Sequence, residues 1–302
     1  MELKHLQALM GIADTGSFSA AAASIGTVQS NVSAHVARLE KELEVQLVDR
    51  ASGRPTEEGE VVIARARRIM NELEAMLADV TAMRAEVVGT VHLGMIGTTG
   101  RWLVPQLFDL LRVRHPHIHL NVADGASVQL EQQLASGQLD LAVVTFPLSG
   151  DEIMAAQLFD EDLVLVLPPG HPLRAQSSVT LEQLSGLDLL LPAPGTALRA
   201  EIDSVIVPAR VALRPAMEID GVRLLASLAF DGYGPAILPA TAVPGHLRGR
   251  FPVLPVDGLP RRRVGVAQRR RGLPSAPVRA VIDVLGLVVN DALSMPDGIH
   301  PT

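Results

Sequence analysis

Residues 18–40 decide the reading of this chain: Phe18-Ser19-Ala20-Ala21-Ala22-Ala23-Ser24-Ile25-Gly26-Thr27-Val28-Gln29-Ser30-Asn31-Val32-Ser33-Ala34-His35-Val36-Ala37-Arg38-Leu39-Glu40. Ser19 to Ile25 is almost all alanine, whose small side chain and high helix propensity suit a closely packed helix. Ser17 is placed to cap it, and Gly26 ends it in a tight turn. Beyond the turn, Val32, Val36 and Leu39 fall at i, i+4 and i+7 and face inward. Gln29, Ser30, Asn31, Ser33 and His35 then occupy the outer, N-terminal part of a second helix. Val28 stands at the capping position, with Thr27 beside it as the candidate cap. The segment from Ile25 to Leu39 has no carboxylate and carries Arg38, whereas acids resume at Glu40, Glu42 and Glu44. Gln and Asn pair bidentately with adenine, and a helix N-terminus offers N–H groups to phosphate. Upstream, Leu3, Leu6, Met10 and Ala13 mark another amphipathic helix ending near Thr15-Gly16. Helix, glycine turn and polar-tipped helix form a helix-turn-helix pattern. A helical hairpin with a solvated polar face has the same pattern, so the pattern alone leaves both readings open.

The run Phe18–Ala22, followed by Gln29–Ser33 and Leu39-Glu40, resembles the N-terminal signature of LysR-type transcriptional regulators. The match continues through Leu43, Leu47 and Arg50 into Thr56 and Gly59, where that family has its wing. The resemblance implies an all-α winged helix-turn-helix, a long linker helix, and an α/β effector domain of two periplasmic-binding-protein-like lobes. It places DNA contacts on Gln29, Ser30, Asn31, Ser33, His35 and Arg38. Arg50 and Arg54 would touch phosphate, which fixes position rather than sequence; otherwise they are solvated surface arginines. The chain departs from the family's pattern at Val28, where a serine or threonine usually caps the helix, and at three further places. Glu44 replaces the usual glycine, Val48 replaces the usual phenylalanine, and the wing is two residues short with Pro55 in place of leucine.

From Glu58 to Val87 there is no proline, and the only glycine is Gly59. Val62, Ala66, Ile69, Leu73, Met76, Val80, Met83 and Val87 repeat at alternating spacings of four and three. The flanks are charged, with Arg84 among them. This heptad seam predicts pairing with an identical helix, hence a dimer and a roughly two-fold symmetric site on double-stranded DNA. A dimer of dimers is implied by the family resemblance alone.

The remaining two thirds alternate strand and helix, as an α/β fold requires. Expected strands include Val91–Met95, Ile118–Val122, Leu139–Thr145, Asp160–Leu167, Leu187–Leu191, Ala216–Ile219 and Ala236–Leu238. Expected helices include 101–114, 128–136, 197–206, 222–230 and Val278–Leu293. The boundaries expected are 1–57 for the DNA-binding domain, 58–88 for the linker helix and 89–302 for the effector domain. Within the last, one lobe spans about 89–162 and 268–302, the other about 163–267. Ligands in such sheets sit beyond the carboxyl ends of the strands. That rule selects Thr98, Thr99, Thr145, Phe146, Thr196, Arg199, Asp220 and Gly221. Hydroxyls and free helix N–H groups suit an anionic effector bound between the two lobes, with Arg199 as its counter-charge; taken singly, each threonine reads as an ordinary helix cap, and the convergence of several strand ends carries the site.

Composition limits the alternatives. The 302 residues include no cysteine, so disulfides, thiolate nucleophiles and cysteine–zinc sites are excluded. His115, His117 and His119 alternate at a helix–strand junction, but their spacing matches no metal motif, and neither a metal nor a cofactor is expected. Arg261–Arg263 and Arg269–Arg271 read as solvated loops around a short strand. No catalytic motif, signal peptide or run of about 18 apolar residues is present, which points to a cytoplasmic, non-enzymatic protein with no membrane partner. The net charge of −7 predicts weak non-specific DNA binding. A cytoplasmic binding protein for small molecules, or an enzyme using the interlobe crevice, remains the alternative at this point.

Overall fold

The computed structural model describes residues 1–83, 86–291 and 295–302. Three helices open the fold: α1 (Leu3–Thr15), α2 (Phe18–Ser24) and α3 (Gln29–Leu43). Gly16 closes α1 at φ 75°, and the Ser17 side chain caps α2 by accepting the Ala20 N–H. Gly26, at φ 70°, turns the chain toward α3. Leu6, Leu9, Ile12, Ala21, Val32, Val36, Leu39 and Leu47 bury against one another, so the inward stripe of α3 is satisfied within this unit. Thr27 does not cap α3. Its Oγ1 accepts from Asn31 Nδ2 at 3.0 Å, and Val28 at the N-cap makes no side-chain bond. The wing is a minimal pair, β1 (Val48–Asp49) antiparallel to β2 (Arg54–Pro55).

Thr56 caps α4 (Glu57–Ala82) by accepting the Gly59 N–H. The helix departs from the uniform seam at both ends. Ala66 is buried in the N-terminal cluster together with Ile63, and Val62 packs against it, so these positions are filled from within the chain. Farther along, Ile69, Met76, Val80 and Met83 are exposed apolar residues, with Leu77 beside them, and Leu73 is half-buried. The helix stops at Ala82 with Met83 as its C-cap, which leaves Val87 outside it, on the approach to the strand that starts at Gly89. Arg84 lies outside the described residues.

Two six-stranded sheets follow. The first contains β3 (Gly89–Met95), β4 (Ile118–Asp124), β5 (Leu141–Thr145), β6 (Ile153–Glu161), β13 (Arg262–Arg269) and β14 (Ile299–Pro301) in the order β14-β6-β13-β5-β3-β4. Helices α5 (Gly97–Arg114) and α6 (Ser127–Ser136) join its parallel strands β3, β4 and β5. The second contains β7 (Leu163–Val166), β8 (Val179–Thr180), β9 (Asp188–Pro192), β10 (Arg214–Ile219), β11 (Ala236–Pro239) and β12 (Val253–Asp257), ordered β10-β9-β11-β7-β12-β8. Helices α7 (Leu181–Leu184), α8 (Ala197–Ile206) and α9 (Val222–Phe230) belong to it, and α10 (Ala276–Val289) packs on the first sheet's core. The expected helix through Leu293 ends at Val289, and Leu293 is outside the described residues.

Three expectations change here. The single strand 160–167 is two strands, broken at Asp162, where the chain crosses between lobes. Residues 262–267, expected in the second lobe, run in β13, hydrogen-bonded between β5 and β6 of the first sheet. The arginine runs are solvated loops only in part: Arg261, Arg270 and Arg271 are exposed outside β13 and Arg263 is exposed on it, whereas Arg262 and Arg269 are drawn into the protein. Arg262 is buried at the crossing, 3.4 Å from Glu161 and 2.9 Å from Glu201, and Arg269 donates to the Leu139 carbonyl at 2.9 Å. A buried guanidinium needs such acceptors, which side-chain periodicity does not reveal.

Candidate functional site

The N-terminal face is built on α3. Gln29, Ser30, Asn31 and Arg38 are exposed, and Ser33 is half-buried. Because nothing caps the helix through a side chain, its first N–H groups and positive dipole end face outward. Arg50 Nη2 donates to Glu40 at 3.0 Å, its Nη1 to Ser33 Oγ at 3.5 Å, and its guanidinium lies 5.9 Å from the Phe18 ring centroid. Arg50 thus braces the base of α3, while Arg54 is exposed on β2. His35 departs from the expected outer face. It is half-buried, its ring centroid 5.3 Å from that of His5 on α1. Its neighbour Val36 points straight into the core, so position 35 sits on the flank of the helix. His5 is buried, and burial pushes its pKa down. Its Nδ1 accepts the Glu2 N–H at 3.4 Å, which requires the neutral ring.

In the first lobe, Thr98 and Thr99 lie in the first turn of α5, and Thr145 ends the adjacent strand β5. The Thr99 Oγ1 is buried without a partner. Thr145 Oγ1 lies 2.9 Å from Ser127 Oγ, which also accepts the Thr145 N–H at 3.0 Å. Ser127, at the start of α6, escaped the sequence reading although Gly125-Ala126 marks the strand end before it. Phe146 lies beneath the Arg263 guanidinium, 5.3 Å from its ring centroid. In the second lobe, Thr196 caps α8 by accepting the Arg199 N–H. Arg199 is not available as a counter-charge. It binds Asp203 at 3.0 Å, Glu218 at 2.8 Å and the Pro192 carbonyl at 3.1 Å. Burial works against its charge, yet these two carboxylates hold its pKa above the ordinary value. Asp220 and Gly221 are exposed, and Gly221 starts α9 at φ 120° with no side-chain cap.

A cavity of about 620 Å³ opens between the lobes, against α5 on one side and α9 on the other. Of the expected effector residues only Thr98 lines it. Arg101, Asp124, Arg223 and Phe230 also line it and were missed, since residues about a hundred positions apart leave no local pattern.

The linker helix is fastened to the first lobe through Arg68, Asn71 and Asp79. Arg68 Nε donates to the Ala135 carbonyl at 3.1 Å, and Asn71 Nδ2 to the Gly137 carbonyl at 3.0 Å, both at the C-terminal end of α6. Asp79 accepts the Ala276 N–H at 2.7 Å, at the start of α10. Helix α6 therefore runs about 15 Å from the Ser127–Thr145 contact to the linker. Among the described residues no helix is long and apolar enough to cross a membrane.

Two family models match the chain. One, described as the bacterial regulatory helix-turn-helix protein of the lysR family, covers residues 3–60; the other, the LysR substrate binding domain, covers residues 84–288. A probable hydrogen peroxide-inducible genes activator of Streptomyces viridosporus is 31% identical over 277 residues, spanning 88% of each chain. The DNA-binding transcriptional dual regulator OxyR of Escherichia coli is 28% identical, over 93% of this chain and 92% of the relative. Among solved structures, a full-length cysteine-to-aspartate variant of OxyR from Pseudomonas aeruginosa superposes with a TM-score of 0.75 at 25% identity, covering 96% of this chain and 98% of that one. CbnR in complex with its target DNA shares the fold, with a TM-score of 0.67 at 19% identity and coverage of 98% and 100%.

Proposed function

The chain belongs to the LysR family of bacterial transcriptional regulators, and from that premise we propose how its own residues read DNA, pair and respond to a ligand. It is a DNA-binding transcriptional regulator with an effector-binding domain. In our reading α3 enters the major groove, where Gln29, Ser30 and Asn31 meet base edges. Ser33, Arg38 and Arg54 meet phosphate, and Arg50 orients α3 while reaching the backbone. The observation that carries this is the exposed, acid-free N-terminal face of α3 above a fully buried Val32–Val36–Leu39 stripe. The exposed apolar stripe Ile69–Met76–Val80–Met83 pairs two α4 helices, giving a homodimer on a two-fold site, with a dimer of dimers as the larger assembly. Fluorescence anisotropy on the operator tests the base contacts. Asn31→Ala weakens specific binding by about 1–3 kcal/mol and leaves non-specific binding unchanged; equal loss on both DNAs refutes the assignment.

We place the effector between the two lobes, at the strand ends where Thr98 lines the cavity and where Thr99, Thr145 and Ser127 stand near the uncapped start of α5. An anionic group fits that donor set. Its arrival shifts α6, and Arg68 and Asn71 pass the shift to the linker helix and so to the DNA-binding units. The protein acts in the cytoplasm, by binding rather than by catalysis. Several relatives are named for induction by hydrogen peroxide. This chain holds no cysteine and can form neither a sulfenic acid nor a disulfide, so its response is a reversible binding event rather than thiol oxidation.

A further inference from the structure

Thr27 ends the turn between α2 and α3, and its side chain is engaged elsewhere than at the helix cap. Its Oγ1 accepts a hydrogen bond from Asn31 Nδ2 at 3.0 Å, across the start of α3. Val28 is the N-cap, so Asn31 is the third residue of α3, and its side chain reaches back toward the turn. The acceptor is itself fixed. The Thr27 N–H donates to the Ala22 carbonyl at 2.9 Å, and Ala22 is buried in the N-terminal core. Gly26, just before it, holds the left-handed turn at φ 70°. Thr27 is half-buried and Asn31 exposed, so an exposed carboxamide is referenced to packed backbone through one hydroxyl. Gln29 and Ser30, beside it on the same turn, make no side-chain hydrogen bond among the described residues. A carboxamide carries one acceptor oxygen and two N–H donors. One donor goes to Thr27, which leaves Oδ1 and the second N–H. Those two groups are the pair that meets N6–H and N7 of adenine. An untethered carboxamide turns over freely and offers its groups in either order, so it discriminates less between bases.

We propose that Thr27 is a positioning residue for base recognition: it holds the Asn31 carboxamide in one orientation before DNA arrives and so makes that residue select adenine. The proposal rests on Asn31 facing a base edge in the major groove. A side chain already held also loses less freedom on binding, an effect of about three- to tenfold in affinity. The test starts from duplexes that the full-length wild type selects from a randomised pool. The base pair read by Asn31 is the one whose preference Asn31→Ala removes. Fluorescence anisotropy on duplexes carrying each of the four bases there then compares the wild type, Thr27→Val and Thr27→Ser. The wild type prefers adenine. Thr27→Val keeps the side-chain shape but offers no acceptor, and it lowers that preference about three- to tenfold while affinity for non-specific DNA holds. Thr27→Ser keeps the acceptor and the preference. Equal loss from Thr27→Val on all four bases and on non-specific DNA leaves Thr27 a purely structural role and overturns the proposal. A wild-type preference for another base overturns it too. If Asn31→Ala removes a preference and Thr27→Val changes none, the positioning role alone fails. If Asn31→Ala removes no preference at any position, the base contact fails and the positioning role with it.

Discussion

Replacing Gly59 with alanine tests how the linker helix is set against the DNA-binding unit. Gly59 sits in the first turn of α4, and its missing Cβ would stand 2.1 Å from the Leu47 carbonyl oxygen and 3.0 Å from the Leu47 carbonyl carbon. These are backbone atoms, and they are pinned. The Leu47 carbonyl accepts the Thr56 N–H at 3.0 Å, and the Leu47 N–H donates to Glu40 at 3.0 Å. Reaching even the shortest real contact requires a retreat of about 0.9 Å, which the capping turn cannot absorb. Overpacking costs about 1–3 kcal/mol, and loss of the Thr56–Leu47 bond adds about 1 kcal/mol. The better helix propensity of alanine returns about 0.5–1 kcal/mol. The net loss is about 2 kcal/mol, or roughly thirtyfold in the local opening equilibrium. Hydrogen-exchange mass spectrometry on peptides spanning 29–63 reads that factor. Exchange within threefold of the wild type refutes the packing argument.

Three further outcomes follow from single contacts. Glu44 ends α3 at φ 57°, in the left-handed region, so Glu44→Gly relieves backbone strain and stabilises the N-terminal unit by about 1 kcal/mol, read as slower exchange in α3; no gain contradicts it. His5 is held neutral by burial, with a pKa below its unfolded value, so its contribution is complete above about pH 6.5 and is lost as pH falls below that value and the unfolded chain binds the proton first. Thermal melts from pH 8 to 5 show the drop, and His5→Gln flattens it; identical slopes refute the role. Arg68→Ala with Asn71→Ala frees the C-terminal end of α6 from the linker helix, so peptides 64–80 exchange at least about tenfold faster while α6's contact at Ser127 stays protected; unchanged linker exchange removes α6 from the transmission route.

Periodicity made much of the fold legible. Helices α8 and α9 fall at the residues where spacing puts them, and the turns at Gly16, Gly26 and Gly137 take the left-handed conformations their positions require. What the sequence hid has physical causes. The stripe on α4 is one continuous pattern, but its first two positions serve the chain's own core, and helical spacing does not distinguish a self contact from a partner's. The strands β8 and β14 are short edge elements, and β12, which carries Pro255, lies between β7 and β8; the pairing of all three depends on distant residues. Arg199 shows a local signal that outweighed the strand-end rule: Asp203 stands four residues on, at the spacing that closes a helical ion pair. Asp124 and Arg223 come together as an ion pair only because two lobes close on each other, so no window of sequence contains that contact.

In the proposed reading, two copies of α3, joined through α4, read a symmetric operator. Genome-wide binding-site mapping tests it most directly, with the wild type and the Gln29→Ala, Asn31→Ala double variant compared. The wild type recovers an enriched motif of two inverted half-sites about one or more helical turns apart, and the double variant loses it while the protein stays folded. Recovery of no two-fold motif by the wild type, or of the same motif by the variant, contradicts the account.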